Sequence, residues 1–214
     1  MIIEAFIPDW DSPRTRASVL LTVLEQGCKT KILDSYDVPF SVQWEEAVSK
    51  FTGDIFLWAM ADTMPQEPNR VGEMFLKMRC MYDRGDIAMY APNVDWTSQV
   101  YNTNKLRVVE PNVFEVCGTD LVFASLSREL LELLPPLGVN THAWGYDYLM
   151  THIAHQKLGK KVVRDYNYLI DHPQGKAYKD EEAQNEMMRW QKGLPWEYQQ
   201  GMTEQAYMQS VLCA

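Results

Sequence analysis

The chain has 214 residues, 46% of them hydrophobic and 12% aromatic, which suits one globular domain or one domain with an appended C-terminal element. A formal net charge of -9 argues against a broad electrostatic grip on nucleic acid, which needs a basic stripe, but not against a nucleic-acid substrate presented to a small local site. Cys28, Cys80, Cys117 and Cys213 form no CxxC pair, and no run approaches the roughly 18 apolar residues of a membrane span.

The opening MIIEAFIPDWD has no basic region and too short an apolar stretch for a signal peptide, so a cytoplasmic protein with reduced thiols is expected. Ile2 to Ile7 reads as a strand stopped by Pro8. Ser12 then serves as a helix N-cap with Pro13 at the first helical position, and Val19, Leu20, Val23 and Leu24 form a stripe that Gly27 ends. Lys31 to Leu33 is a second strand running into the acidic turn Asp34-Ser35-Tyr36-Asp37. Ser41 to Phe51 is helical, with Trp44, Ala47, Val48 and Phe51 on one side.

The segment GDIFLWAMADTMP carries the strongest signal. Ile55 to Trp58 is a bulky, β-favouring run bounded by Gly53-Asp54 and Pro65, the pattern of a fully buried strand. Asp62 follows where that strand leaves the core. Strand, helix, strand, helix, strand at this spacing predicts a parallel βαβαβ unit with right-handed crossovers.

Further along, Arg70 to Tyr82 is a helix whose Val71, Met74, Phe75 and Met78 repeat on one face as core filler. Ile87 to Ala91 is another strand. Residues 92–112 form a polar loop with a short edge strand at Arg107 to Val109, and Val113 to Cys117 and Leu121 to Ala124 flank Gly118 as paired strands or a bulge. Ser127 to Leu134 is a short helix stopped by Pro135-Pro136, and Tyr146 to Leu158 a longer one ended by Gly159. Lys161 to Val163 and Tyr166 to Ile170 are strand-like, and Asp180 to Trp190 lies in a Glu/Gln-rich helical tail.

Acids follow each of the first three strands: Asp9 and Asp11, Asp34 and Asp37, then Asp62. In a parallel sheet these turns open on one edge, where ligands of α/β proteins bind. Asp is also simply common in turns, so the series weakens that plainer explanation without removing it. No GxGxxG or GxxxxGK[ST] supplies a glycine cradle for phosphate, so a nucleotide here needs a metal or basic side chains such as Arg14 or Arg16. Asp147, just after Gly145 in THAWGYDYL, either stabilises a helix N-terminus or aims a carboxylate into a cleft. His152 and His155 lack a third ligand and read as structural. His172 sits in the turn DHPQGKAY, where an imidazole can ligate a metal and Lys176 and Tyr178 can reach phosphate or sugar hydroxyls. No Ser/His/Asp or Cys/His arrangement stands out.

These ordered segments resemble family-2-type glycosyltransferases of the GT-A fold. IPDWDSPRTRASVLLTVLEQGCKTKILDSYD resembles their N-terminal "IP-turn" strand, helix and acid-ended second strand; WAMADTMP resembles their metal motif, WGYDYL their late acidic motif, and DHPQGKAY their terminal His-Pro turn. The resemblance spans roughly residues 2 to 178 as ordered short motifs. It implies a GT-A-like (Rossmann-like), mostly parallel sheet flanked by helices over residues 1–178, with residues 179–214 as a C-terminal helical extension packed on the same domain. It implies a hexosyl- or pentosyltransferase that uses a nucleoside-diphosphate sugar, UDP-linked by default, with Mn²⁺ or Mg²⁺. Pro8 and Asp9 would lie in the nucleotide-binding turn, Asp34 would contact the base, and Ala61 and Asp62 would meet the donor. Asp62 and His172 would ligate the metal, and Asp147 would be the general base of an inverting displacement. The acceptor would be a saccharide or glycan, or a hydroxylated base in phage or viral DNA. Met60 stands where the motif has its first acid, which motivates the alternative of a non-catalytic nucleotide- or protein-binding module on a degenerate GT-A fold.

Overall fold

The computed structural model describes residues 1–9, 23, 25–34, 37–95, 105–172 and 179–212. The expected first helix, with Arg14 and Arg16, falls largely outside the described residues, as do residues 96–104, Lys176, Tyr178 and Cys213.

The described strands form one nine-stranded sheet: β1 (Ile3–Asp9), β2 (Lys29–Asp34), β3 (Ile55–Ala59), β4 (Met64–Pro65), β5 (Ile87–Val94), β6 (Lys105–Glu110), β7 (Val113–Val116), β8 (Phe123–Ser127) and β9 (Lys161–Asp171). Their order is β2-β1-β3-β8-β5-β9-β7-β6, with β4 paired to β9 off this path. β1 lies parallel to both β2 and β3, and β5 parallel to β9. β8 is antiparallel to β3 and β5 on either side, and β7 and β4 are antiparallel to β9.

The segments flanking Gly118 are therefore not partners of each other: β7 pairs with β6 and β9, while β8 fills the slot between β3 and β5. The two strand-like stretches after Gly159 are one strand. The register against β5 jumps from Pro92↔Asp165 to Asn93↔Leu169, so residues 166–168 bulge out without ending it.

The helices are α1 (Phe40–Lys50), α2 (Val71–Asp83), α3 (Arg128–Leu133), α4 (Tyr146–His152), α5 (Asp180–Gly193) and α6 (Trp196–Leu212). Ser127 caps α3 by accepting from the Leu130 N–H at 3.3 Å, and α4 widens into a π-type turn over Ile153–Lys157.

Side chains alternate across each strand, so β3 feeds two cores. Ile55 and Leu57 join Ala5, Ile7, Tyr90 and Val163 beneath α2, whose Met74 and Met78 are buried there. Phe56 and Trp58 face the other way, with Phe6, Leu126 and Val162, under α1, α3 and α4. Covering both faces is why β3 reads as a continuous apolar run. On the second face Trp44 lies 5.3 Å from Trp58 and 5.7 Å from Tyr146, and Tyr146 lies 5.6 Å from Trp190, ring centre to ring centre. This chain of rings ties β3, α1, α4 and α5 together, each contact adding roughly 0.5–1.5 kcal/mol beyond its buried area. Trp190 and Met202 bring α5 and α6 into the same core. Close approach there depends on Gly201, because a Cβ at that position would sit 2.2 Å from Nδ1 of His152.

Candidate active site

The carboxyl ends of the first strands are level. Asp9 and Asp34 are direct partners in the β1–β2 register, and Phe6 pairs with Trp58 in β1–β3, so the turn after β3 opens beside them. Pro8 is buried and Asp9 half-buried.

That turn is closed tightly. The Met60 N–H donates to the Val122 carbonyl at 2.9 Å, extending the β3–β8 ladder by one bond. The Thr63 N–H and hydroxyl both donate to the Met60 carbonyl, at 3.1 and 2.6 Å. Ala61 and Thr63 are fully buried, which leaves Asp62 at the tip with 22% of its side chain exposed.

The two residues of β4 then pair with Ile170 and Asp171 at the end of β9, and this delivers His172 to Asp62. His172 Nε2 lies 3.7 Å from Asp62 Oδ1, with 12% of the His172 side chain exposed. The Asp95 carboxylate holds the His172 backbone N–H at 2.9 Å, while the Asp95 N–H donates to the Ile170 carbonyl at 3.0 Å.

Asp62 Oδ1 is buried and makes no hydrogen bond among the described residues. A carboxylate oxygen in that state facing an imidazole nitrogen fits a shared cation. Among the described residues no group of three or more His, Cys, Asp or Glu side chains could hold a metal. Asp62 and His172 could together supply two ligands to a divalent cation.

Met60 has a structural occupation of its own. The indole N–H of fully buried Trp58 donates to the Met60 sulfur at 3.3 Å. Met60→Ala would leave that N–H without its partner and is expected to cost about 1–3 kcal/mol in denaturant unfolding. A midpoint equal to wild type would show that the thioether contact contributes nothing.

Asp147 lies in the first turn of α4, 7% exposed, two residues after Gly145 in left-handed conformation. The loop before it sits at the same sheet edge, since the Thr141 carbonyl accepts from the Ser41 N–H at 3.3 Å at the start of α1, just beyond β2. His152 and His155, on the same helix and its π-type continuation, do not converge. His152 packs on Tyr198 with ring centres 6.4 Å apart, and His155 Nε2 lies 3.7 Å from Glu115; burial lowers the pKa of both.

Two charged clusters lie near this edge that sequence reasoning missed. Fully buried Arg164 of β9 donates through Nε to Asn93 at 3.2 Å and places Nη1 3.4 Å from Asp120. Asp120 also accepts from the Val122 N–H at 3.1 Å, so it braces the residue that anchors Met60. An Arg-Asp pair inside the strand-like stretch KKVVRDYNYLID was the available signal. The second cluster, Glu186 with Thr141 and His142, left no sequence signal because Glu186 sits in a tail full of Glu and Gln.

No protein-family model matches the sequence, and no curated protein matches it. Solved structures do match in shape. A mannosyltransferase of Pyrobaculum calidifontis in complex with GDP-Man and Mn²⁺ superposes with a TM-score of 0.60 at 12% identity, over 96% of this chain and 69% of that one. A glucosyl-3-phosphoglycerate synthase of Mycobacterium tuberculosis in complex with Mg²⁺ and UDP gives 0.55 at 12% identity, over 91% and 80%. The protein A197 from STIV gives 0.56 at 19% identity, over 82% and 87%. The chain has a GT-A-like fold, with a nine-stranded mixed sheet among the described residues flanked by helices. No helix among the described residues is long and apolar enough to cross a membrane.

Proposed function

We propose that this protein is a glycosyltransferase that moves a sugar from a nucleoside-diphosphate donor to an acceptor hydroxyl. The observation that carries the reading is the meeting of Asp62 and His172, 3.7 Å apart, at the carboxyl edge of a GT-A-like sheet. Solved proteins of this fold bind UDP or GDP-Man together with Mg²⁺ or Mn²⁺. In this reading Pro8, Asp9 and Asp34 hold the nucleoside, with Ala61 forming the wall of the turn beneath the donor. Arg14, Lys176 and Tyr178, the expected contacts to the phosphates or the sugar, fall outside the described residues. A divalent cation held by Asp62 and His172 would neutralise charge developing on the departing diphosphate. Asp147 takes the proton of the acceptor hydroxyl as that oxygen bonds to the anomeric carbon and the bond to the diphosphate oxygen breaks. A saccharide acceptor suits the net charge of -9 better than DNA does.

Calorimetric titration of UDP- and GDP-sugars with and without Mn²⁺, paired with an assay of diphosphate release, tests this. Metal-dependent binding with turnover is expected. Tight binding without turnover on any acceptor would favour the non-catalytic module that Met60 motivates. No binding and no metal effect for any nucleotide sugar would overturn the transferase reading.

A further inference from the structure

We propose that Glu186 is a positioning residue for the acceptor side of this site, setting the loop that delivers Asp147. The inference rests on the transferase reading, which gives Asp147 its role. Glu186 is 9% exposed, and from α5 it accepts from two consecutive residues of the loop: the Thr141 N–H at 2.9 Å, the Thr141 hydroxyl at 2.6 Å and His142 Nδ1 at 2.8 Å. Burial alone would raise the carboxyl's pKa, but these hydrogen bonds outweigh it and hold it below its usual value, so the anchor stays ionised.

The loop needs an anchor. Ala143 and Gly145 both adopt left-handed backbone, at φ 56° and 74°, a conformation that costs a non-glycine residue free energy unless its surroundings impose it. One tie is internal, the Asn140 side-chain N–H to the Trp144 carbonyl at 2.9 Å. A second joins the Ser41 N–H of α1 to the Thr141 carbonyl, and a third comes from α5. Next to Glu186 on that helix, Met187 closes over Gly145, where a Cβ would stand 2.8 Å from its sulfur. Adjacent residues of α5 thus grip the beginning and the end of the loop, and Asp147 follows two residues later. The C-terminal helices act in this account through the loop that delivers Asp147.

The test uses the full chain with Glu186→Ala and Glu186→Gln. Binding of UDP is followed by calorimetry, and turnover by UDP release from whichever UDP-sugar the wild type consumes fastest. Glu186→Ala is expected to lower kcat roughly tenfold to a hundredfold, the scale of a small misplacement of a catalytic group, with UDP affinity within about twofold of wild type. Glu186→Gln keeps an oxygen that can accept from Thr141 and is expected to recover most of that loss. Should Glu186→Ala fail to fold, Thr141→Val removes one donor to Glu186 and carries the same split between kcat and UDP affinity. Unchanged kcat in a folded Glu186→Ala or Thr141→Val would overturn the proposal, as would a loss of UDP binding equal to the loss of kcat. If the wild type consumes no nucleotide sugar, the transferase reading and this inference fall together; unaffected variants of an active wild type remove this inference alone.

Discussion

Asp147→Asn is expected to slow release of the diphosphate from the sugar donor by about 10²–10⁴-fold, the usual contribution of a general base, while nucleoside-diphosphate binding stays near the wild-type value. Asparagine has the shape of aspartate but cannot accept the proton of an incoming hydroxyl at neutral pH. The fold should tolerate the change. A first-turn carboxylate stabilises its helix by only about 0.3–1 kcal/mol, while α4 is held by Tyr146, Leu149 and Met150 in the second core. Single-turnover release of UDP, read beside UDP calorimetry and a thermal melt, separates the outcomes. Unchanged turnover would remove Asp147 as the base. A parallel loss of turnover, binding and melting temperature would show instead that its carboxylate is needed for packing, as the burial of the residue allows.

What could be read in the sequence followed the range of the interactions involved. β1 and β3 were legible because each buries a short apolar run between turn residues, and a strand covered on both faces has an unbroken hydrophobic signature. β2 is an edge strand whose described side chains leave Ile32 exposed and only Leu33 buried, and it was legible from the acidic turn that follows it. The methionines of α2 were legible as core filler for the same local reason, and Met74 and Met78 are indeed buried. The insertion of β8 between β3 and β5 was not, since nothing in Phe123–Ser127 states which neighbours it will take. α6 falls within the expected C-terminal helical extension, but its bounds were not legible. Its Gln-rich sequence contains Gly201, ordinarily a poor helix residue, and that glycine earns its place only through His152 on another helix. At the site, Asp62 could be named from its strand and His172 only from its turn. Their meeting depends on the pairing of Met64 and Pro65 with the far end of β9, a contact no local pattern encodes. Met60 illustrates the converse: the resemblance implied an acid at this position, and the structure shows a sulfur that serves the indole of Trp58.

Asp62→Ala should abolish the metal-dependent part of nucleotide binding. Replacing residues that merely orient a metal ligand typically weakens metal affinity 10–100-fold, and removal of a carboxylate ligand should cost no less. In practice UDP affinity of the variant should be the same with Mn²⁺ as with a chelator, and equal to that of the wild type stripped of metal. His172→Ala should weaken the Mn²⁺ effect by a smaller factor, because a neutral nitrogen contributes no Coulomb attraction to the cation. The double variant separates a shared ligand role from two independent ones. If both side chains hold one ion, His172→Ala adds almost nothing once Asp62 is gone, a strong departure from additivity between residues in contact. If the two losses add instead, the approach to 3.7 Å reflects only the pairing of β4 with β9. An Mn²⁺ titration of UDP binding that is unaltered in Asp62→Ala would place any cation elsewhere, and the acid at the end of β3 would revert to a turn residue. The Thr63 bonds to the Met60 carbonyl close that turn without the Asp62 carboxylate, so the variant should keep its fold and give the titration a clean meaning.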